Sequence, residues 1–156
     1  MAEEDDEADP IPGTTLINLC WAGTGVFLAL AVVAILAPGI FGVIFAGLSF
    51  VLFIGGCVAF LWAYAKAVGR SRTEELGIGG IYFLAGSAPR VVRFRLMLAL
   101  GLLVVGAVAA AGIRPFTSVA FGTLAPMWGL GLSGLWGARY GEFPPRATSP
   151  QGSSPA

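Results

Sequence analysis

Few residues in this chain could carry chemistry, and their types and spacing limit what they can do. There is no histidine, and outside the acidic first tail the carboxylates are Glu74, Glu75 and Glu142. General acid–base catalysis needs a titratable group held against the reacting atoms, and the long apolar stretches contain none. Cys20 and Cys57 are the two thiols. Two thiols alone make a poor metal site, because a closed zinc site takes four ligands; packing of small apolar side chains is their expected role. The glycines of residues 77–80 form no phosphate-binding loop, since no Lys-Ser/Thr pair follows them. The residues therefore assign no catalytic, cofactor-binding or metal-binding side chain, and an enzyme is not expected. Asn18, Thr24, Ser49, Thr123 and Ser133 are the polar groups that could line a path for a solute. The absence of any charge among them argues against coupling to ions or protons.

The elements that carry these residues follow from where the charges are. The chain has 156 residues, 56% hydrophobic and 12% charged, against about 25% charged in soluble domains. No Asp, Glu, Lys or Arg lies between Asp9 and Lys66, between Arg95 and Arg114, or between Arg114 and Arg139. A bilayer imposes such segregation, because a charge at its centre costs about 2.5–3.5 kcal/mol on insertion scales. A span needs about 20 apolar residues, so the first charge-free stretch must hold two, divided at Ala37-Pro38-Gly39. The fold expected is all-α: a polytopic membrane protein with four transmembrane helices, at residues 16–36, 40–64, 89–112 and 116–136, paired as two antiparallel hairpins. Residues 16–140 form the transmembrane domain, with a connection at 65–88. Residues 1–15 and 141–156 read as a disordered acidic tail and a flexible Pro/Ser-rich tail. Pro126 predicts a kink in the fourth helix.

Basic residues accumulate on the cytoplasmic side of membrane proteins. Lys66, Arg70, Arg72, Arg90, Arg93 and Arg95 fall in or beside the 65–88 connection, and Arg139 and Arg146 follow the fourth span. Only Arg114 falls on the other side. Both termini are therefore expected in the cytoplasm, in a multi-pass protein of the cell membrane. That side also disfavours a disulfide. Trp21, Trp62, Tyr64, Trp136 and Tyr140 read as an aromatic belt at the same boundary, and Trp128, in mid-helix, as packed or facing lipid. The net charge is zero, which argues against nucleic acid as a partner. The bilayer itself is the first partner implied, and anionic lipid head groups at the basic face are the second. Contact between the acidic first tail and the basic connection is a third idea.

Within the connection, residues 76–86 are apolar but too short to span, and are expected in the interface, under the bundle, or as a re-entrant loop. Small residues recur every four positions at Gly42 and Ala46, at Gly106 and Ala110, and at Gly129, Ser133 and Gly137. This spacing lets helix backbones approach closely.

Two segments look like signatures: Gly86-Ser87-Ala88-Pro89-Arg90, and the run from Leu135-Trp136-Gly137-Ala138-Arg139-Tyr140 to Arg146. With these, an Arg-to-Lys ratio of eight to one and abundant Ala and Gly, the chain resembles an uncharacterised family of small four-helix integral membrane proteins from high-GC prokaryotes. The resemblance implies no catalytic or binding residue. The function expected is that of a non-catalytic accessory or scaffold subunit of a membrane complex, with a membrane-protein partner or a homo-oligomer. The alternative is a small oligomeric channel or transporter.

Overall fold

The computed structural model describes residues 12–72 and 77–145. The acidic tail before Pro12, Glu74 and Glu75, and the last residues from Arg146 lie outside the described residues, and with them the contact between tail and connection. Every element is helical: α1 (Thr14–Leu36), α2 (Pro38–Arg70), α3 (Ile78–Tyr82), α4 (Arg90–Ile113), a 3₁₀ helix (Ser118–Leu124) and α5 (Pro126–Tyr140). Three of them, α1, α2 and α4, are long and apolar enough to cross a bilayer.

Local chemistry sets most of the boundaries. α1 ends where Pro38 removes a backbone donor, and the single residue Ala37 returns the chain into α2, with Pro38 in the first helical turn. Phe27 and Phe45 then meet across the α1–α2 pair, their ring centroids 5.1 Å apart. α2 runs past Tyr64 to Arg70, because Ala65, Lys66 and Ala67 are good helix formers and nothing interrupts them. α4 begins immediately after Pro89, within a residue of expectation.

The region expected as one helix over 116–136 is not one helix. Phe116 takes a left-handed backbone, φ 60°, and the chain then winds as a 3₁₀ helix to Leu124 before α5 starts at Pro126. The cause is local. Pro126 cannot donate to the carbonyl four residues back, so the preceding turn tightens, and the N–H groups of Ala125 and Trp128 bond three residues back, to Gly122 and Ala125. The kink expected at Pro126 is thus a full change of helix type.

α1 packs against α2 on one side and α4 on the other, while the 3₁₀ helix and α5 fill the space between α2 and α4. α5 is the innermost helix. Gly129, Gly131, Leu132, Ser133, Gly134, Trp136, Gly137 and Ala138 are all buried. Its backbone lies directly on that of α2: a Cβ at Gly131 would collide with the Gly56 carbonyl, and one at Gly56 with the Met127 carbonyl. The recurring small residues have similar uses. Gly129 lies on the Leu100 backbone of α4 at 3.1 Å, Gly42 on Ser118 of the 3₁₀ helix at 2.7 Å, and Gly106 on Leu28 of α1 at 2.6 Å, measured to a Cβ placed at each glycine. Trp128 is wedged into this core, its ring over Gly23 and Gly55, with an indole N–H that has no partner among the described residues.

Gly131→Ala should lower stability in detergent by about 1–3 kcal/mol, the usual cost of overpacking. Gly25→Ala, at a helical position with open space around it, should be neutral or stabilising by up to about 1 kcal/mol. Thermal melting of the two variants side by side tests this; equal melting temperatures would refute the close α2–α5 contact.

Candidate functional site

Lys66, Arg70 and Arg72 close α2, Arg90, Arg93 and Arg95 open α4, and Arg139 ends α5. Arg70 bonds the end of α5, and Glu142 bonds Ser87 just before α4, so these helix ends and their basic residues gather at one end of the bundle. Among the described residues, Glu142 is the one carboxylate there. Arg114 stands alone at the opposite end.

Arg70 is the centre of the basic end. Its Nη1 donates to the Ala138 carbonyl at 3.1 Å and its Nη2 to the Gly141 carbonyl at 3.0 Å. These oxygens belong to the last turn and the exit of α5, where helix carbonyls lack partners and the helix dipole is negative. The guanidinium also lies over the Phe143 ring, 5.3 Å from its centroid. Beside it a cleft of about 540 Å³ opens between Lys66 and Gly69 of α2 and Arg139, Tyr140 and Gly141. Arg139 projects over Tyr140 at 5.9 Å, a cation–π distance.

The two signature segments meet here. The Glu142 N–H donates to the Ser87 carbonyl at 3.0 Å. Ser87, Pro89, Trp136, Tyr140, Glu142 and Pro12 border a smaller cleft of about 280 Å³. Trp136 is fully enclosed and its Nε1 donates to the Pro12 carbonyl at 2.9 Å. It therefore leaves the expected aromatic belt, whereas Trp62 and Tyr64 are exposed.

The apolar piece of the connection packs onto the end of α5. α3 buries Ile81 and Tyr82. The Tyr82 ring stacks on Phe60 at 4.4 Å, and the Ser133 hydroxyl donates to the Tyr82 carbonyl at 3.0 Å. Burial first, and Tyr64 nearby second, raise the Tyr82 phenol above its ordinary pKa. The chain leaves α3 through Leu84, whose φ is 54°, and the Ala85 N–H reaches back to the Gly79 carbonyl at 3.0 Å. Glycine is the usual residue at such a helix exit; Leu84 stands there with its side chain wholly buried. The Ser87 hydroxyl donates to the Gly80 carbonyl and closes the segment on itself.

Four of the five polar residues singled out as a solute path bond main-chain carbonyls. Thr24 donates to the Cys20 carbonyl and Ser49 to the Phe45 carbonyl, each at 2.8 Å and each buried. Ser133 bonds Leu130 as well as Tyr82. Thr123 donates to Ala120 at 3.0 Å, and Asn18 is exposed on α1. Cys20 is buried and Cys57 half-buried, both as free thiols. Among the described residues, no three His, Cys, Asp or Glu side chains gather where they could hold a metal ion.

Sequence reasoning missed the two arginine caps. At the far end Arg114 donates from Nε and Nη2 to the Ile35 carbonyl, at 3.1 and 2.9 Å, closing the C-terminus of α1. Its signal was available: a lone cation in the turn that must lie beside the α1–α2 turn. Arg70 had none, because its partners lie nearly 70 positions away in the chain. No family model matches the chain, and neither the curated proteins nor the solved structures contain a match to it.

Arg70→Gln should destabilise the protein by about 1.5–3 kcal/mol, the range for hydrogen bonds from charged groups. Arg70→Lys should recover little of this, since one ammonium does not reproduce a two-pronged donor. Melting of the three proteins at matched detergent decides it, and full rescue by lysine would remove the capping role.

Proposed function

We propose that the chain is a four-pass protein of the cell membrane, with both termini in the cytoplasm, and that it serves as a non-catalytic accessory or scaffold subunit of a membrane complex. The fourth pass is the 3₁₀ helix and α5 together. At their usual rises they extend about 36 Å, enough for a hydrocarbon core of about 30 Å. The change of helix type within the pass is compatible with lipid because α2 and α4 cover it, and non-helical backbone at membrane depth needs protein around it. The cluster of basic residues at one end supports the cytoplasmic orientation.

One observation carries the scaffold reading: the axis of the bundle is solid. α5 lies backbone-on-backbone against α2 at Gly131 and Gly56, and the buried hydroxyls of Thr24, Ser49 and Ser133 all bond main-chain carbonyls. Among the described residues the interior is thus closely packed, with its buried hydroxyls already paired. What the chain presents is its outside: apolar faces along α1, α2 and α4, and a basic end. Such faces suit other membrane helices and lipid. A small oligomeric channel or transporter, the alternative, would have to build its lining between copies.

Purification at native expression in mild detergent, with crosslinking and mass determination, should recover a defined hetero-complex. A monomer or a homo-oligomer without a partner would sink the scaffold reading, and the homo-oligomer would direct attention to flux assays. Reporters fused to each terminus should both report the cytoplasm.

A further inference from the structure

Two clefts on the outer side of α4 follow one line. The first, about 420 Å³, is bordered by Arg90, Arg93, Phe94 and Met97 in the opening turns. The second, about 470 Å³, lies deeper, where Leu100 and Val104 of α4 face Phe53 of α2 across Pro126, Met127 and Leu130 of α5. At 3.6 residues per turn, Arg93, Met97, Leu100 and Val104 fall within about 60° of arc. They form one stripe from the basic end toward the middle of the bundle. The groove runs between the outer rims of α2 and α4, floored by Thr123 and Leu124 of the 3₁₀ helix and by Pro126, Met127 and Leu130 of α5.

We propose that this stripe binds one anionic phospholipid, with its phosphate on Arg90 and Arg93 and one acyl chain along Met97, Leu100 and Val104 into the groove between α2 and α4. The proposal rests on the reading that α4 crosses the bilayer with its arginines at one surface. Three observations carry it.

The first is charge. The first turn of α4 contains no acidic residue and begins with Arg90, with Arg93 and Arg95 close behind. Cations at the positive end of a helix dipole are unfavourably placed. A phosphate there answers both the arginines and the dipole, and the planar guanidinium matches phosphate oxygens in pairs. The second is length. From Arg93 to Val104 the helix rises about 16 Å, close to the depth of one leaflet, about half of a 30 Å core. The third is lining. The deeper cleft is apolar apart from Thr123, whose hydroxyl already bonds the Ala120 carbonyl. It therefore suits a hydrocarbon chain and not a polar solute. A second copy of the protein fits less well. Two copies in the same membrane orientation would bring Arg90 and Arg93 to the same depth in both, like charge against like.

The test uses the full chain, purified and delipidated in detergent, and native mass spectrometry with phosphatidylglycerol and phosphatidylcholine of identical acyl chains. The first lipid retained should be phosphatidylglycerol, with a preference of about thirtyfold, as expected for two basic residues near a head group. The Arg90→Gln/Arg93→Gln double variant alters exposed side chains only; it should melt normally and retain the two lipids equally. Val104→Trp, which fills the groove, should lose both lipids with the arginines intact. Lys66→Gln, at the other cleft, should leave the preference unchanged. Equal retention by the unaltered protein would overturn the proposal. So would a preference that survives the double variant or disappears with Lys66→Gln, or a dimer that forms in place of lipid binding. If Val104→Trp fails to fold, the double variant alone decides. Release of the protein from membranes by alkaline carbonate would instead overturn the membrane-spanning reading on which the proposal rests.

Discussion

The contact of the α5 backbone with that of α2, at Gly131 on Gly56, is the constraint around which the other elements are placed. Between helices in lipid there is little hydrophobic gain, because acyl chains are as apolar as leucine; close packing and hydrogen bonds hold them instead. Removing the side chains at this crossing brings two helices closer than any pair bearing Cβ atoms could come. It also leaves α5 with little surface of its own. Its remaining bulk, Trp128 and Trp136, must be housed by its neighbours: Gly23 and Gly55 make room for the first, and the second is enclosed with its N–H on Pro12. Gly23 of α1, and Pro12 and Gly13 before it, lie against those two rings.

Two arginines complete what the glycines begin. Arg114 closes the C-terminus of α1 at one end, and Arg70 closes that of α5 at the other. In each case a guanidinium from one segment meets the carbonyls of another where a helix runs out of internal donors. Each cap is placed at an end of the bundle, where a charged side chain can keep contact with the membrane surface. Together they tie the first two helices to the second part of the chain at both ends, Arg114 joining the exit of α4 to α1 and Arg70 joining α2 to α5.

Much of this was legible in the residues. Charge segregation located α1, α2 and α4, and Pro38 marked the first turn, because these depend on local composition and on one missing amide. The four-residue spacing of Gly129, Ser133 and Gly137 pointed to a closely packed face. The change of helix type was less legible. Pro126 announced a disturbance, but its size depends on how α2 and α4 enclose the turn, which no short window of residues contains. Trp136 illustrates the same limit. By position it belonged with the boundary aromatics, and only the packing of Pro12 and α1, Leu84 and α4 around the end of α5 encloses it. The groove beside α4 was invisible for a similar reason: its lining comes from α2, α4, the 3₁₀ helix and α5, which no single stretch of sequence holds.

The 3₁₀ turn before Pro126 also bears on the order in which the protein is made. α1 and α2 are long, apolar and joined by one residue, so they can enter a membrane together as they leave the ribosome. α5 is shorter and rich in glycine, and it is headed by a 3₁₀ helix instead of continuing as one long apolar span. It becomes comfortable only when α2 and α4 are already in place to receive it. The last helix thus acts as a keystone: its seat exists only where α2 and α4 already stand, and without it the Gly56 surface of α2 would be uncovered.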